Sequence, residues 1–98
     1  MNIDEVMEIL SKKNAFLRST YHVIDMGIFG SCVKGTFKNN SDIDVLVSFD
    51  QGCKDLFNYM RLKMYQEELL DRKVDLVIKE AVKPRLRDRI LGEVRYVQ

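Results

Sequence analysis

Residues 42 to 49, Asp42-Ile43-Asp44-Val45-Leu46-Val47-Ser48-Phe49, read as the clearest β-strand in the chain. Side chains alternate along a strand, so Asp42 and Asp44 share one face while Ile43, Val45 and Val47 share the other. Asp is depleted in strands, because its short side chain competes for backbone hydrogen bonds and packs poorly. A second such anomaly follows in Lys73-Val74-Asp75-Leu76-Val77-Ile78, where Asp75 interrupts another apolar strand. If the two strands are neighbours, about 5 Å apart, Asp75 can join Asp42 and Asp44 on one face. Three carboxylates gathered there repel one another and are costly to desolvate, and a divalent cation resolves that conflict. Hard oxygen donors favour magnesium or manganese. Each Asp also has an ordinary reading: Asp42 at the strand entrance, Asp44 solvated at an edge, Asp75 paired with Lys73 or Arg72.

Outward from these strands, the chain alternates helical and extended patterns. Asn2 with Glu5 suits a helix start, and Val6, Ile9, Leu10, Phe16 and Leu17 place a first helix over 3–19. Ile24, Met26 and Ile28 alternate with Asp25 and Gly27, which predicts a strand over 24–29. Gly30-Ser31 breaks it, and a short helical turn is expected through Lys34, closed by Gly35. Residues 36–41 are polar turn formers and predict a loop. A long helix is expected over 54–70, with Leu56, Phe57, Met60 and Met64 as its apolar stripe; Met7, Met60 and Met64 read as core filling. Pro84 suits the first turn of a last helix reaching about Leu91, with Leu86 and Ile90 inward, and 95–97 suggests a small terminal strand. At 98 residues without repeats or linkers, one domain over 1–98 is expected.

The Gly30-Ser31 turn is the second chemical feature. Glycine after a strand lets backbone approach a phosphate closely, and a serine hydroxyl can donate to a phosphate oxygen. Taken on its own, a serine at position 31 more commonly caps a helix. Gly30 and Gly35 have Walker A separation, but Thr36 stands where the lysine belongs, so a P-loop is rejected.

Composition narrows the remaining classes. Sixteen basic against fifteen acidic side chains argue against bulk electrostatic binding of nucleic acid, and the basic run Lys79, Lys83, Arg85, Arg87, Arg89 reads as a solvated helix face. Cys32 and Cys53 lack the spacing of a zinc site or disulfide framework, and lone His22 is assigned no chemistry. Acidic residues Asp4, Glu5 and Glu8 are unlike a signal peptide, and no apolar run has membrane-spanning length, which together lead to an expected cytoplasmic location.

The combined pattern resembles a known family. Gly-Ile-Phe-Gly-Ser at 27–31, Ser-Asp-Ile-Asp-Val-Leu-Val at 41–47, Lys-Val-Asp-Leu-Val at 73–77 and Lys-Pro-Arg-Leu-Arg-Asp-Arg-Ile-Leu at 83–91 are similar to the DNA polymerase β-like nucleotidyltransferases. Within them the chain resembles the short MNT-domain, MntA-type antitoxins. The resemblance implies an α/β (α+β) fold, a small mixed β-sheet flanked by helices. It also implies transfer of AMP from ATP to a tyrosine hydroxyl of a HEPN-domain ribonuclease toxin, the protein partner. Asp42, Asp44 and Asp75 then match the catalytic, metal-ligating carboxylates, with two Mg2+ ions, or Mn2+ in their place. Gly30, Ser31, Lys34 and Ser41 match the nucleotide-binding positions. Cys32 and Lys34 depart from the aromatic residue and the arginine of many relatives; lysine keeps the charge but not the bidentate grip. The competing functions are a non-catalytic antitoxin that neutralises by binding, and nucleotidylation of a small molecule.

Overall fold

The strand Ile43–Phe49 (β2) sits inside the sheet, and its pairing sets the architecture. A computed structural model describes residues 1–38, 40–50, 52 and 55–98. The chain runs α1 (Ile3–Lys12), α2 (Asn14–Tyr21), β1 (Val23–Phe29), α3 (Ser31–Lys34), β2, α4 (Leu56–Leu70), β3 (Val74–Ile78), a 3-10 turn (Lys79–Ala81), α5 (Pro84–Glu93) and β4 (Arg95–Tyr96). The sheet order is β3-β2-β1-β4. β1 is antiparallel to both β2 and β4, whereas β3 is parallel to β2, so the sheet is mixed as expected. A parallel pair needs a crossover, and α4 provides it.

Two cores follow from the alternation of β2. Ile43, Val45, Val47 and Phe49 face one layer with Met26, Ile28, Val74 and Leu76, covered by Val6, Leu10, Leu17, Leu62 and Leu70 from α1, α2 and α4. Leu46 faces the other way, with Phe29, Val82 and Ile90, and Leu86 packs against them. Each such buried aliphatic side chain contributes about 1.5–3 kcal/mol of hydrophobic stabilisation. Asp44 lies on this second, thinner layer, which is why it can be reached from solvent.

Several expected features differ. The first helix is two helices: Lys13 leaves helical geometry at φ −103°, ψ 4°, and its amide bonds to Leu10 O at 3.1 Å. The turn frees Phe16 from the core side, leaving it 44% exposed and packed against the tilted ring of Tyr65 at 5.2 Å between centroids. Lys54, the expected start of α4, lies outside the described residues, as do Asn39 and Cys53. Asp55 caps α4 by accepting from Asn58 N at 2.7 Å.

The larger correction concerns which side of α4 is buried. Leu56, Phe57, Met60 and Met64 face solvent, with Phe57 74% and Met64 62% exposed, so Met60 and Met64 do not fill the core. The buried face is instead Asn58, Leu62, Gln66 and Leu70, spaced at i, i+4, i+8 and i+12. Its two polar members are held by tertiary bonds: Asn58 Nδ2 donates to Tyr21 O at 2.8 Å, and Gln66 Nε2 donates to Met26 Sδ at 3.0 Å. Met7 does pack against the core, as expected.

Candidate active site

The candidate site forms where three strands end. In the parallel pair of β2 and β3, Asp44 is the direct partner of Asp75, and across the antiparallel pair it is the partner of Phe29. Direct partners in adjacent strands project to the same face. Asp75 therefore lies beside Asp44, while the turn after Phe29 closes the other side.

Gly30 makes that closure feasible. Its φ of +76° with ψ −147° belongs to a region essentially reserved for glycine. A Cβ there would lie 2.0 Å from Asp44 Oδ2, so any larger residue displaces the carboxylate. Ser31 opens α3, whose amides at Val33 and Lys34 bond back to Gly30 O, and Gly35 ends it at φ +77°. Farther back along β1, Gly27 lets β4 approach, since a Cβ would meet Val94 Cγ2 at 2.6 Å.

The electrostatics of the cluster are unbalanced. Asp44 is raised from its ordinary 3.8 to about 6. Burial is the largest cause, followed by the charge of Asp75, a side-chain hydrogen bond with Asp75, and the charges of Asp42 and Glu93. Among the described residues, no basic side chain forms an ion pair with Asp44 or Asp75. Beside them the Cys32 thiol is also pushed up, first by burial and then by Asp44, so it is not a ready nucleophile.

The other predicted positions are less convergent. Asp42 precedes β2 and is exposed, lining a groove with Asn40, Ser41, Asp71, Arg72 and Lys73. Ser41 Oγ accepts from Lys38 N at 3.0 Å, which closes its own turn. Lys34 Nζ pairs with Glu93 Oε2 at 3.3 Å. Among the described residues no three His, Cys, Asp or Glu side chains already enclose a metal-sized space. Asp44 and Asp75 are joined, and Asp42 contributes its charge from the strand entrance.

A model of the nucleotidyltransferase domain matches residues 3–97, nearly the whole chain. The chain belongs to the nucleotidyltransferase domain family. The chain is 37% identical over 97 residues to the protein adenylyltransferase MntA of Thermococcus cleftensis, covering 99% of this chain and 97% of that protein. It is also similar to a solved structure assigned as a minimal nucleotidyltransferase, at 32% identity and TM-score 0.81, covering 97% and 95% of the two chains. A complex of an MNT antitoxin with a tri-AMPylated HEPN toxin of Shewanella oneidensis shares the fold at 19% identity and TM-score 0.66, covering 94% of this chain and 71% of that one. With the family comes the reaction class, and the chain is a nucleotidyltransferase enzyme.

Within this nucleotidyltransferase, Glu93 is the site residue that sequence reasoning missed. It enters the site from 63 positions away, donated to by Gly30 N at 3.2 Å and by Lys34 at 3.3 Å. No local motif announces it; only the docking of α5 and β4 on β1 brings it there. The helices of the described residues are all too short or too polar to cross a membrane.

Proposed function

We propose that this nucleotidyltransferase moves AMP from ATP to a tyrosine hydroxyl of a HEPN-domain ribonuclease toxin, and thereby serves as its antitoxin. The observation that carries the reading is the adjacency of Asp44 and Asp75 against the Gly30 turn. The MntA name of a relative sharing 37% of residues supports protein adenylylation. The tri-AMPylated HEPN toxin found with an MNT antitoxin supports the kind of partner.

The residues fit a divalent cation. Paired carboxylates with no ion-paired base among the described residues, one of them pushed up to about 6 partly by its neighbours' charge, are a hard-oxygen donor set in need of positive charge. Asp44 and Asp75 would hold Mg2+, with Asp42 turned from its exposed position to complete the set. When bound, the cation offsets negative charge developing at the α-phosphate and lowers the pKa of a coordinated hydroxyl. Gly30 allows the triphosphate to approach the strand end, and Ser31 with Lys34 orients it. Asp75, exposed on the edge strand, would accept the proton of the incoming tyrosine. Pyrophosphate is the leaving group. Such a site works mainly through positioning and fixed charge, within reach of a small fold.

The test is the intact mass of a HEPN-domain partner incubated with this chain, ATP and Mg2+. Addition of AMP that maps to tyrosine and disappears with Asp42→Asn/Asp44→Asn is expected. A stable complex without any mass gain would replace this reading with neutralisation by binding.

A further inference from the structure

Glu93 is an expensive residue for its place. It is the last residue of α5, where the helix dipole disfavours a carboxylate, and its side chain is only 17% exposed. It also stands near enough to Asp44 to add to that group's burden. Both of its oxygens are used, and on two parts of one loop: Oε1 accepts from Gly30 N, and Oε2 meets Lys34 Nζ. Both contacts fall on the loop, Gly30 to Lys34, along which the nucleotidyltransferase reading lays the triphosphate. A carboxylate bridging a backbone amide and an ammonium offers, as a phosphate would, a pair of anionic oxygen acceptors.

Resting on that reading, we propose that Glu93 is a built-in placeholder for the triphosphate. Without nucleotide it holds the Gly30 turn and parks Lys34. On binding, the phosphates take over the Gly30 amide and Lys34, and Glu93 withdraws. Glu93 is thus a positioning residue, holding a loop ready at the cost of competing for it. The competition sets nucleotide affinity.

The sign of one affinity change separates this from a structural role. Glu93→Gln keeps an oxygen for the Gly30 amide but removes the competing charge. Calorimetric titration with ATP·Mg2+, and with inorganic tripolyphosphate plus Mg2+ as a base-free probe, should show roughly three- to tenfold tighter binding than wild type. The gain should vanish in the Lys34→Met/Glu93→Gln pair. Equal or weaker binding by a folded Glu93→Gln chain would overturn the placeholder. Should that variant fail to fold, the wild-type chain carries the test: its Gly30 amide resonance must shift on adding tripolyphosphate and Mg2+, and an unmoved resonance at saturation overturns the proposal. If wild type binds neither probe, the nucleotidyltransferase reading of the loop fails, and the placeholder with it.

Discussion

Replacing Asp44 by asparagine should make the metal-free chain more stable while removing its response to magnesium. In the folded chain Asp44 binds its proton more tightly than in the unfolded chain, its pKa rising from 3.8 to about 6. The folded state therefore holds the extra proton between those values, and stability falls as pH rises through that window. Above it the penalty is complete. At 1.36 kcal/mol per pH unit the gap amounts to about 3 kcal/mol. Asp44 is only half-buried, so screening by solvent reduces this to about 1–1.5 kcal/mol. The asparagine side chain keeps the shape and can donate to Asp75 without a charge. At about 4–8 °C per kcal/mol for a domain of this size, Asp44→Asn should melt about 4–12 °C above wild type at pH 7.5 without metal. The two should converge near pH 3.5. Added Mg2+ should raise the wild-type Tm and leave the variant little changed. Thermal unfolding followed by circular dichroism, with and without Mg2+ across pH, is the assay. A variant no more stable than wild type at pH 7.5, or equally stabilised at pH 3.5, would refute carboxylate repulsion as the burden on this site.

Other substitutions probe the remaining elements. Gly30→Ala should cost about 2 kcal/mol or more, from the glycine-only backbone and the displaced Asp44, and should abolish nucleotidyl transfer; near-native activity would show that the turn tolerates a Cβ. Met60→Glu/Met64→Glu should leave Tm within about 2 °C of wild type, whereas a core role would cost on the order of 3 kcal/mol. Gln66→Leu should raise stability by about 1 kcal/mol in denaturant titration, because Gln66 is fully buried and its Oε1 has no partner among the described residues. A loss instead would mean that the contact with Met26 anchors α4.

Much of this enzyme was legible in the chain because its signals are local. The alternation Ile43, Val45, Val47 placed β2, and the Asp residues stood out there because strands reject them. The Gly30-Ser31 turn, the αL Gly35 and the Pro84 helix start are likewise chemistry between near neighbours. The split at Lys13 left only a weak local signal in Ser11 and Asn14, and the continuous apolar pattern across it favoured one helix.

What tertiary structure alone decided are choices between faces and between distant partners. The helix α4 carries apolar residues on both sides, so periodicity favoured the stripe of Leu56, Phe57, Met60 and Met64. The face that wins is the one whose Leu62 and Leu70 join the sheet core, with Asn58 donating to Tyr21 O and Gln66 to Met26 Sδ beside them. Glu93 reached the Gly30 turn in the same manner, through the pairing of β4 with β1. Sequence period determines which residues share a face, because backbone geometry repeats. It does not determine what that face will meet, because that depends on groups contributed from elsewhere in the chain.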